Sequence, residues 1–451
     1  MSAIKYGLIG HPLGHSMSPY IHERIMEASG ISGRYDLYDV DPVHFDAEVK
    51  LLMRELAGFN CTIPYKQSVI SFLDRLDEVA AKYMAVNTVS GRVGYNTDRD
   101  GFLSVGLRLL GKKVLLLGAG GVSRMMAYEA VEQGATITIM ARTMQKAEAL
   151  ALDLRAKYGK EVHVISEMEE AQGQSYDVIL NGTPLGMWPF CGGVPITSAI
   201  FCPGQQVFDT VYNPVSTRMV LQANKHGAEA TGGLKMLFGQ ALAAQKIWNP
   251  DAHYSPERLQ KILAELPAEV LSHSPVKYIM TGFMGAGKTT VSRELGRRLH
   301  IPVIDLDERI EKTRGCSVSD IFERDGEAGF RIVESSVLKE ILSDKQAAII
   351  ALGGGAILQE ENRALIHRSE AMTIFLHASM ECIWERIGHM KGRPLAGDPG
   401  DEEEAGRFSK VAALYEGRLP LYNKYCDVRM EADKDFQTVT SEIMDALGYG
   451  G

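Results

Sequence analysis

Short apolar runs alternate along this chain with longer segments in which apolar residues recur every three or four positions. The first pattern is typical of buried strands, and the second is typical of helices with one buried face. In the first hundred residues the patterns predict strands at Lys5–Ile9 and Phe59–Ile63 and a helix at His22–Ala28. Strands that alternate with helices in this way indicate an α/β fold built on parallel sheets.

A complete βαβ unit is predicted in the next part of the chain. The stretch 113–117, which is apolar after Lys113, stops at Gly118-Ala119-Gly120-Gly121, and helical periodicity follows over Ser123–Gln133. A second strand is predicted at Thr136–Met140, which gives the span of about thirty residues that a parallel crossover requires. Further buried strands are predicted at Val178–Leu180 and Val207–Val211.

The pattern changes over residues 248–275. A helix at Pro256–Leu266 is followed by a stretch, 267–275, with few residues able to build a core, so residues 251–275 are predicted to be a linker. The order of strand, glycine loop and helix then restarts with Val276–Thr281 and Thr290–Leu299. The two halves share no repeat register, which indicates a fusion of unlike parts.

Composition narrows the class of protein. A chain of 451 residues is long enough for two or three domains, and 45% hydrophobic with 23% charged residues excludes wholesale disorder. The net charge of −9 argues against a nucleic-acid-binding surface. Six cysteines without a C-x-x-C pair argue against a zinc site or a disulfide framework. Without a signal peptide or a membrane-length apolar run, we expect a cytoplasmic protein with no membrane partner.

The second half contains a phosphate-binding loop. Gly282-Phe-Met-Gly-Ala-Gly287-Lys288-Thr289 is a full G-x-x-x-x-G-K-[ST] motif between a predicted strand and a predicted helix. In this motif backbone N–H groups converge on phosphate oxygens, the lysine adds a positive charge, and the hydroxyl holds Mg²⁺. The sequence therefore predicts a site for a nucleoside triphosphate and its metal ion.

Residues that could hold a phosphoryl acceptor follow this loop. A strand predicted at Pro302–Leu306 leads into Asp305 and Asp307, which a period of two would place on one face. One carboxylate could order the water shell of the metal while the other receives a hydroxyl proton. Further on come Arg331, a strand at Ala347–Leu352 that runs into three glycines, and later arginines; taken singly, each arginine is more often a surface ion-pair residue.

Residues 276–447 resemble shikimate kinase in the ordered motifs G-F-M-G-A-G-K-T-T, D-L-D, F-R-x-x-E, G-G-G, G-R-P-L and R-L-P-L-Y. The resemblance implies a P-loop kinase domain with a parallel sheet and a lid near 391–406. It implies that Asp307 lies near the 3-hydroxyl of shikimate, that Thr289 binds Mg²⁺, and that Asp305 supports the metal through water. Lys424 departs from the family, which often has an acid there, and this leaves the role of the C-terminal helix open.

The same resemblance assigns the remaining kinase residues. Shikimate is held by Asp307, Arg331, Gly353, Gly354, Gly355 and Arg418. ATP is held by Gly285, Ala286, Gly287, Lys288, Thr289, Thr290 and Arg386. Catalysis is assigned to Lys288 and Asp307, together with Arg393 on the lid.

In the first half, Gly118-Ala119-Gly120-Gly121-Val122-Ser123 is a variant of the dinucleotide-binding fingerprint G-x-G-x-x-G/A. An NAD-specific enzyme usually carries an acid after the next strand, where this chain has Arg142, Thr143 and Lys146. Cations and a hydroxyl suit a 2′-phosphate, so NADP is predicted. The alternative at this point is that Arg142 and Lys146 flank an ordinary surface helix.

Reduction of a carbonyl group to an alcohol requires a proton donor, and two polar turns of the first half contain charged candidates. Lys66 lies just past a strand-ending proline, and Asp98 lies in a second turn. A lysine serves this purpose if burial lowers its pKa or if a carboxylate orients it. The sequence alone does not show that the two residues meet, and two exposed charges remain the alternative.

Residues 1–248 resemble shikimate dehydrogenase. The matching segments include G-H-P-L-G-H-S-M-S-P from Gly10, N-C-T-I-P-Y-K from Asn60, A-V-N-T from Ala85, G-Y-N-T-D from Gly94 and N-G-T-P-L-G-M from Asn181, together with F-D-T-V-Y-N-P and G-L-K-M-L-F-G-Q. The resemblance implies a substrate-binding α/β lobe and a Rossmann lobe, with the catalytic pair Lys66 and Asp98. The substrate is held by Ser16, Ser18, Asn60, Thr62, Asn87, Tyr212 and Gln240. NADP is held by Gly118, Ala119, Gly120, Gly121, Arg142, Thr143, Lys146, Gly233 and Met236.

The first half departs from its family at a few positions. Cys61 replaces a usual Val, and Ala141 stands where Asn commonly precedes the Arg-Thr pair. Gly182 replaces a usual Ala or Ser, which we expect to loosen the turn beside the cofactor.

The two resemblances together predict a bifunctional enzyme that reduces 3-dehydroshikimate with NADPH and phosphorylates shikimate with MgATP. The expected domains are a substrate lobe at 1–100 with about 235–250, a Rossmann lobe at 101–234, the linker at 251–275 and a kinase domain at 276–451. The partners are small-molecule substrates, and the oligomeric state stays open between monomer and homodimer. The alternatives are a quinate/shikimate dehydrogenase fused to another small-metabolite kinase, or one half that is a silent regulatory module.

Overall fold

The computed structural model describes residues 4–14, 16–387 and 404–450. Two compact units divide these residues, and the first consists of Met1–Met187 with Val194–His273. The second consists of Ser274–Gly451 together with the short segment Trp188–Gly193. No helix among the described residues is long and apolar enough to cross a membrane.

The first unit begins with a mixed six-stranded sheet in the order β2-β1-β3-β5-β6-β4. Its strands are β1 Ile4–Gly10, β2 Gly33–Asp39, β3 Gly58–Cys61, β4 Arg75–Leu76, β5 Thr88–Ser90 and β6 Val93–Tyr95. The helices of this region are α1 Ser18–Ala28, α2 Phe45–Glu55, α3 Glu78–Tyr83 and α4 Asp98–Val105. Strands β1, β2 and β3 are parallel, while β5 runs antiparallel to β3 and β6. The ends of β1 and β3 therefore lie side by side at one edge of the sheet.

A second six-stranded sheet, entirely parallel, has the order β12-β11-β10-β7-β8-β9. Its strands are β7 Lys113–Leu117, β8 Thr136–Met140, β9 Val162–Ile165, β10 Val178–Asn181, β11 Gln206–Asp209 and β12 Glu229–Thr231. The helices that accompany it are α5 Gly121–Glu132, α6 Met144–Tyr158, α7 Met168–Gln172 and α8 Arg218–Lys225. The central strand β7 is buried over Val114–Leu117 because both faces of the sheet are covered by helices and loops.

Two further helices complete the first unit: α9 Leu234–Trp248 and α10 Pro256–His273. Helix α9 packs against α1 and α4, so the chain returns to the lobe built on the first sheet, where residues 235–250 are expected. The approach to α4 is close, because a Cβ on Gly101 would lie 2.4 Å from the carbonyl oxygen of Met236.

The prediction of a linker over 251–275 is wrong for most of its length. Residues 256–273 form one helix that continues through Pro267 and packs against α1 and α9. Its buried positions Ile262, Leu266 and Val270 recur every four residues, which is one face of a helix. An ion pair of 2.9 Å between Arg24 Nη2 and Glu265 Oε2 joins α10 to α1.

The second unit is built on a five-stranded parallel sheet in the order β14-β15-β13-β16-β17. Its strands are β13 Lys277–Thr281, β14 Val303–Asp305, β15 Ala348–Ala351, β16 Met372–His377 and β17 Val428–Glu431. Its helices are α11 Lys288–Leu299, α12 Leu306–Arg314, α13 Val318–Ser343, α14 Glu360–Arg368, α15 Met380–Ile387, α16 Glu404–Lys424 and α17 Phe436–Leu447. The central strand β13 leads directly into the glycine loop.

The strand predicted at Pro302–Leu306 is shorter than expected. Strand β14 ends at Asp305, which caps α12 by accepting hydrogen bonds from the backbone N–H groups of Asp307 and Glu308. Asp307 therefore lies in the first turn of a helix, and the period of two that placed both carboxylates on one strand face does not apply. The cap explains the difference, since aspartate at this position satisfies the free N–H groups of a helix start.

Candidate active sites

Lys66 and Asp98 meet in the first unit. Lys66 follows the end of β3, and Asp98 is the first residue of α4. Lys66 Nζ donates to Asp98 Oδ2 at 2.5 Å, and the two side chains are 24% and 9% exposed. The pair is therefore an ion pair that is largely sheltered from solvent, and a lysine held by a carboxylate is suited to proton transfer.

An amide network surrounds this pair. Asn87 Nδ2 donates to Asp98 Oδ1 at 2.9 Å and lies 3.2 Å from Gln240 Oε1, while Asn87 Oδ1 accepts from the backbone N–H of Thr97 at 2.7 Å. These bonds join the residue before β5, the start of α4 and helix α9. The carboxylate of Asp98 is thus held by Asn87 on one oxygen and by Lys66 on the other.

Asn60 lies behind this network with its amide group already bonded. Its Nδ2 donates to the Asn87 carbonyl oxygen at 3.0 Å and to Thr88 Oγ1 at 2.9 Å. Its Oδ1 accepts from the hydroxyl of Tyr35 at 2.7 Å. Since both N–H groups have protein partners, Asn60 can offer a ligand only the second lone pair of its oxygen.

The remaining predicted substrate residues lie at the start of α1 and at the ends of β3 and β11. Ser16 Oγ accepts from the backbone N–H of Ser18 at 3.2 Å, and the side chain of Tyr212 hydrogen-bonds the backbone of Met17. Thr62 donates its backbone N–H to the Ile9 carbonyl at 3.0 Å. The structure thus brings Tyr212, which follows a strand of the second sheet, to the two serines.

The glycine turn after β7 has the shape that a dinucleotide requires. Gly118 has φ +95°, and a Cβ there would lie 3.0 Å from Thr183 Cγ2. Gly120 and Gly121 face open space and lead into the start of α5. Backbone N–H groups at a helix start, without side chains over them, form a pyrophosphate site, so these residues fit NADP.

The expectation that Gly182 loosens this turn is wrong. A Cβ on Gly182 would lie 2.2 Å from Ser123 Oγ and 3.0 Å from Met126 Cε. Ser123, at the third small position of the fingerprint, is fully buried and fills the space that an alanine would need. The two departures from the usual pattern therefore compensate each other, and the turn stays packed.

The predicted residues for the adenosine and nicotinamide ends lie in different places. Arg142, Thr143 and Lys146 are all exposed at the start of α6, directly after β8. Gly233 precedes α9, where a Cβ would lie 2.1 Å from the Thr210 carbonyl oxygen, and Met236 is buried in the first turn. The three polar residues are accessible to a 2′-phosphate at the carboxyl end of β8.

In the second unit the phosphate loop has the expected shape. Gly285 and Gly287 have φ +79° and +91°, values that favour glycine, and α11 begins at Lys288. Lys288 Nζ donates to the carbonyl oxygens of Gly282 and Phe283, each at 3.0 Å. The ammonium group therefore lies over the loop that would surround the phosphates. Ala286 is buried and Thr290 is exposed in the first turn of α11.

Oxygen ligands suited to Mg²⁺ lie beside this loop. Thr289 Oγ1 donates to Asp305 Oδ2 at 2.8 Å, so the hydroxyl and the carboxylate are adjacent. Asp307 is shielded nearby, and burial together with the negative charge of Asp305 raises the pKa of its carboxyl group. Hard oxygen donors with an excess of negative charge fit a bound Mg²⁺, which would relieve that repulsion.

Arg331 forms a buried ion pair next to the three glycines. Its Nη1 donates to Glu334 Oε2 at 2.8 Å, and a Cβ on Gly355 would lie 2.4 Å from Nη2. A Cβ on Gly353 would lie 2.9 Å from Asp307 Oδ1. The glycines therefore allow the acid and the guanidinium to approach the same stretch of backbone.

Arg418 and Arg386 approach the loop region from other helices. Arg418 Nη1 donates to the Gly354 carbonyl oxygen at 3.3 Å, and the hydroxyl of Tyr422 donates to the same oxygen at 2.5 Å. Arg386 Nη1 donates to the Gly285 carbonyl oxygen at 3.1 Å. Arg393 and most of the predicted lid lie outside the described residues.

Sequence reasoning missed several polar partners of these sites. In the first unit they are Tyr35, Thr88 and Thr97, and in the second they are Glu334 and Tyr422. Four of them carried a signal, since Thr88, Thr97, Glu334 and Tyr422 lie within the motifs A-V-N-T, G-Y-N-T-D, F-R-x-x-E and R-L-P-L-Y. Tyr35 lies outside these motifs and comes from a distant part of the chain.

Comparison with known proteins identifies related families along the chain. Family models match at residues 8–89 (shikimate dehydrogenase substrate binding domain), 104–184 (shikimate / quinate 5-dehydrogenase) and 284–448 (shikimate kinase). A shikimate dehydrogenase (NADP⁺) of Caldanaerobacter subterraneus subsp. tengcongensis is 35% identical over 271 residues, which are 58% of this chain and 97% of that protein.

Solved structures resemble the same part of the chain. A chorismate mutase/shikimate 5-dehydrogenase fusion protein from Clostridium acetobutylicum is 32% identical to this chain, with a TM-score of 0.53. The match covers 60% of this chain and 100% of the solved chain. Shikimate 5-dehydrogenase from Thermus thermophilus, in complex with NADP(H) and shikimate, is 29% identical over 58% of this chain and 98% of its own, with a TM-score of 0.52. The chain therefore belongs to the shikimate dehydrogenase family and carries a shikimate kinase domain in its second half.

Proposed function

We propose that this chain is a bifunctional enzyme of the shikimate pathway. Its first unit reduces 3-dehydroshikimate to shikimate with NADPH, and its second unit transfers the terminal phosphoryl group of MgATP to the 3-hydroxyl of shikimate. The observation that carries the proposal is the pairing of Lys66 with Asp98 in a chain that also holds an intact phosphate loop at Lys288.

In the reduction, bound NADPH supplies the hydride to the carbonyl carbon. Lys66 Nζ donates a proton to the carbonyl oxygen as it becomes a hydroxyl, and Asp98 keeps the ammonium group oriented. Asn87 holds Asp98 and contacts Gln240 Oε1, and we assign these two residues beside the pair to the ring hydroxyls of the substrate. Ser16, Ser18 and Tyr212 form a separate polar group suited to the carboxylate of the substrate.

The cofactor preference rests on the residues that follow β8. Arg142 and Lys146 bring two exposed cations beside the hydroxyl of Thr143, and no acid stands among residues 140–146 to bind a ribose diol. This arrangement favours the 2′-phosphate of NADP over NAD.

In the phosphorylation, bound MgATP supplies the phosphoryl group. Asp307, in the first turn of α12, accepts the proton of the attacking hydroxyl as the general base. Lys288 balances the negative charge of the phosphates, and Thr289 with Asp305 holds the metal and its water. Arg331 and Arg418 approach the glycines 353–355 and suit the carboxylate of shikimate.

The test supplies the purified protein with 3-dehydroshikimate, NADPH and MgATP and identifies the products by mass. Shikimate 3-phosphate is expected, whereas omission of ATP should stop the reaction at shikimate. Replacement of NADPH by NADH should slow the first step.

Two substitutions separate the two sites. Lys66→Ala should abolish NADP-linked oxidation of shikimate and leave ATP-dependent phosphorylation intact, while Lys288→Ala should do the reverse. Lys261→Ala, which changes an exposed lysine on α10, is the matched control and should leave both activities unchanged. A wild-type protein without one of the two reactions would contradict the bifunctional assignment, and a loss of both activities in either variant would contradict independent sites.

A further inference from the structure

A buried carboxylate outside the proposed active site joins three helices of the first unit. Glu129 lies on α5, two turns beyond the glycine fingerprint, and its residue is 2% exposed. Lys82 Nζ donates to its Oε1 at 2.8 Å, the hydroxyl of Tyr83 donates to the same oxygen, and Arg99 Nε lies 3.3 Å from Oε2. Both carboxylate oxygens are therefore bonded, to residues on α3 and α4.

The helix that receives this contact carries the catalytic acid. Asp98 and Arg99 are the first two residues of α4, so the contact from Glu129 to Arg99 lies one residue from the carboxylate that holds Lys66. On its other side, α4 is packed against α9 through Gly101. The first turn of α4 is thus held between α9 and the helix that begins at the NADP fingerprint.

The charges around Glu129 favour its ionised form. Burial alone raises its pKa, but hydrogen bonds from Lys82 and Tyr83 and the charges of Lys82 and Arg99 outweigh that effect and hold the pKa below its usual value. The other titratable groups facing the cluster are Glu132, which also pairs with Lys82, Asp100 and Tyr158. A buried acid with two cationic partners leaves those partners unbalanced if its charge is removed.

We infer that Glu129 is a positioning residue for the reduction: by holding Arg99, it fixes the first turn of α4 and with it the Asp98 carboxylate that orients Lys66. The inference rests on the proposed dehydrogenase activity. It requires no contact between Glu129 and substrate or cofactor.

The test replaces Glu129 by glutamine in the full chain. The amide keeps the shape of the side chain but turns one oxygen into an N–H donor, which then faces either Arg99 or the donors on α3. Displacement of a catalytic group by about 1 Å costs up to ~100-fold in rate, so we expect kcat for shikimate oxidation to fall roughly ten- to hundredfold. The KM for shikimate should change much less, and kinase activity, measured on the same sample, should stay at the wild-type level.

Glu132→Gln is the matched control. Glu132 lies one turn further along α5, and its side chain is 48% exposed. Of the three partners of Glu129, it contacts only Lys82. It should leave kcat within about twofold, because the tie to Arg99 remains.

A second variant keeps the inference testable if Glu129→Gln fails to fold. Arg99 is 35% exposed, and Arg99→Gln should lower kcat in the same way without burying an unpaired charge. If both fold, the double variant should lose little more than either single one, since one contact is removed twice.

Retention of wild-type kcat in a folded Glu129→Gln or Arg99→Gln protein would overturn the inference, and so would full additivity of the two losses. A wild-type protein that does not oxidise shikimate would instead overturn the proposed function, which keeps the two failures apart.

Discussion

Substitution of Asp98 by asparagine tests the chemistry of the first site most directly. The carboxylate receives Lys66 Nζ at 2.5 Å on one oxygen and Asn87 Nδ2 at 2.9 Å on the other. Asparagine offers one oxygen and one N–H₂ group, so the N–H₂ group must face either Lys66 Nζ or Asn87 Nδ2, both of which are donors. The ammonium group of Lys66 also loses its negative partner.

The size of the effect follows from these contacts. A hydrogen bond to a charged group contributes about 1.5–3 kcal/mol, and each 1.36 kcal/mol changes a rate by about tenfold. If the contact acts in the transition state, kcat should fall by roughly one to two powers of ten. The loss should be smaller than that of Lys66→Ala, because Lys66 is still present as the proton donor.

The assay measures initial rates of NADP reduction at saturating shikimate, with ATP-dependent phosphorylation on the same sample as the check on concentration and folding. Asp100→Asn is the matched control, since Asp100 lies in the same first turn of α4 and its residue is exposed. A kcat within about twofold of wild type for Asp98→Asn, or an equal loss for Asp100→Asn, would refute the role of the pair.

Two further predictions concern packing and pH. Gly182→Ala should lower the urea midpoint for loss of dehydrogenase activity by the equivalent of about 1–3 kcal/mol, because its Cβ would lie 2.2 Å from Ser123 Oγ. The same substitution in a Ser123→Gly protein should lower the midpoint clearly less. An equal decrease in both proteins would disprove the compensation between Gly182 and Ser123. Burial lowers the pKa of His22 from 6.5 to about 3, so the native unit cannot take up the proton that the unfolded chain binds. The free energy of unfolding of the first unit should be constant above pH 6.5 and should fall by up to ~1.4 kcal/mol per pH unit as the pH decreases toward 3. The His22→Gln protein should lose less of this free energy than wild type, whereas the control His163→Gln, at an exposed histidine, should behave like wild type. An identical slope for all three proteins would contradict this account.

Local patterns predicted nine of the seventeen strands in the described residues, and both glycine turns. The stretch 113–117 is a buried strand because it is almost wholly apolar and bounded by glycine, and its helix and partner strand follow at the predicted places. The phosphate loop was equally clear, since its residue types and its flanking elements agree. In these segments every local preference points to the same structure.

The errors arose where a local signal competed with packing. Residues 267–275 were expected to contribute little to a core, but Val270 shares one buried face with Ile262 and Leu266, and burial against α1 and α9 outweighs the hydrogen bond lost at Pro267. Asp307 was placed on the strand face of Asp305 by its spacing, although aspartate before a helix start is also a cap, and Asp305 caps the helix that contains Asp307. The meeting of Lys66 with Asp98 joins residues 32 positions apart, so no local pattern could establish it.

The saturation of Asn60 shows a further limit of sequence reasoning. Its bonds to Tyr35 on β2 and to Asn87 and Thr88 at the start of β5 come from two other segments, and nothing in the segment that contains Asn60 indicates them. The residue type alone suggests a group ready to bind hydroxyls. The structure instead gives it a second task, which is to hold the turn that carries Asn87.

The two glycine turns of this chain show how similar backbone geometry is adapted to different chemistry. In both, a central parallel strand leads into a glycine-rich turn, with positive φ at Gly118 in the first and at Gly285 and Gly287 in the second, and a helix begins directly after it. After β7 the helix carries no charged side chain in its first three residues, and its third fingerprint position, Ser123, is used for packing against Gly182. After β13 the helix begins with Lys288 and Thr289, and Asp305 lies within hydrogen-bonding distance of the threonine.

A cofactor that keeps its phosphates needs only neutral N–H donors at this place, because no charge develops there during the reaction. A nucleotide that gives up a phosphoryl group needs a cation and a metal ligand as well, since negative charge moves onto the leaving oxygen. The residues that follow the glycines thus separate a binding turn from a catalytic one.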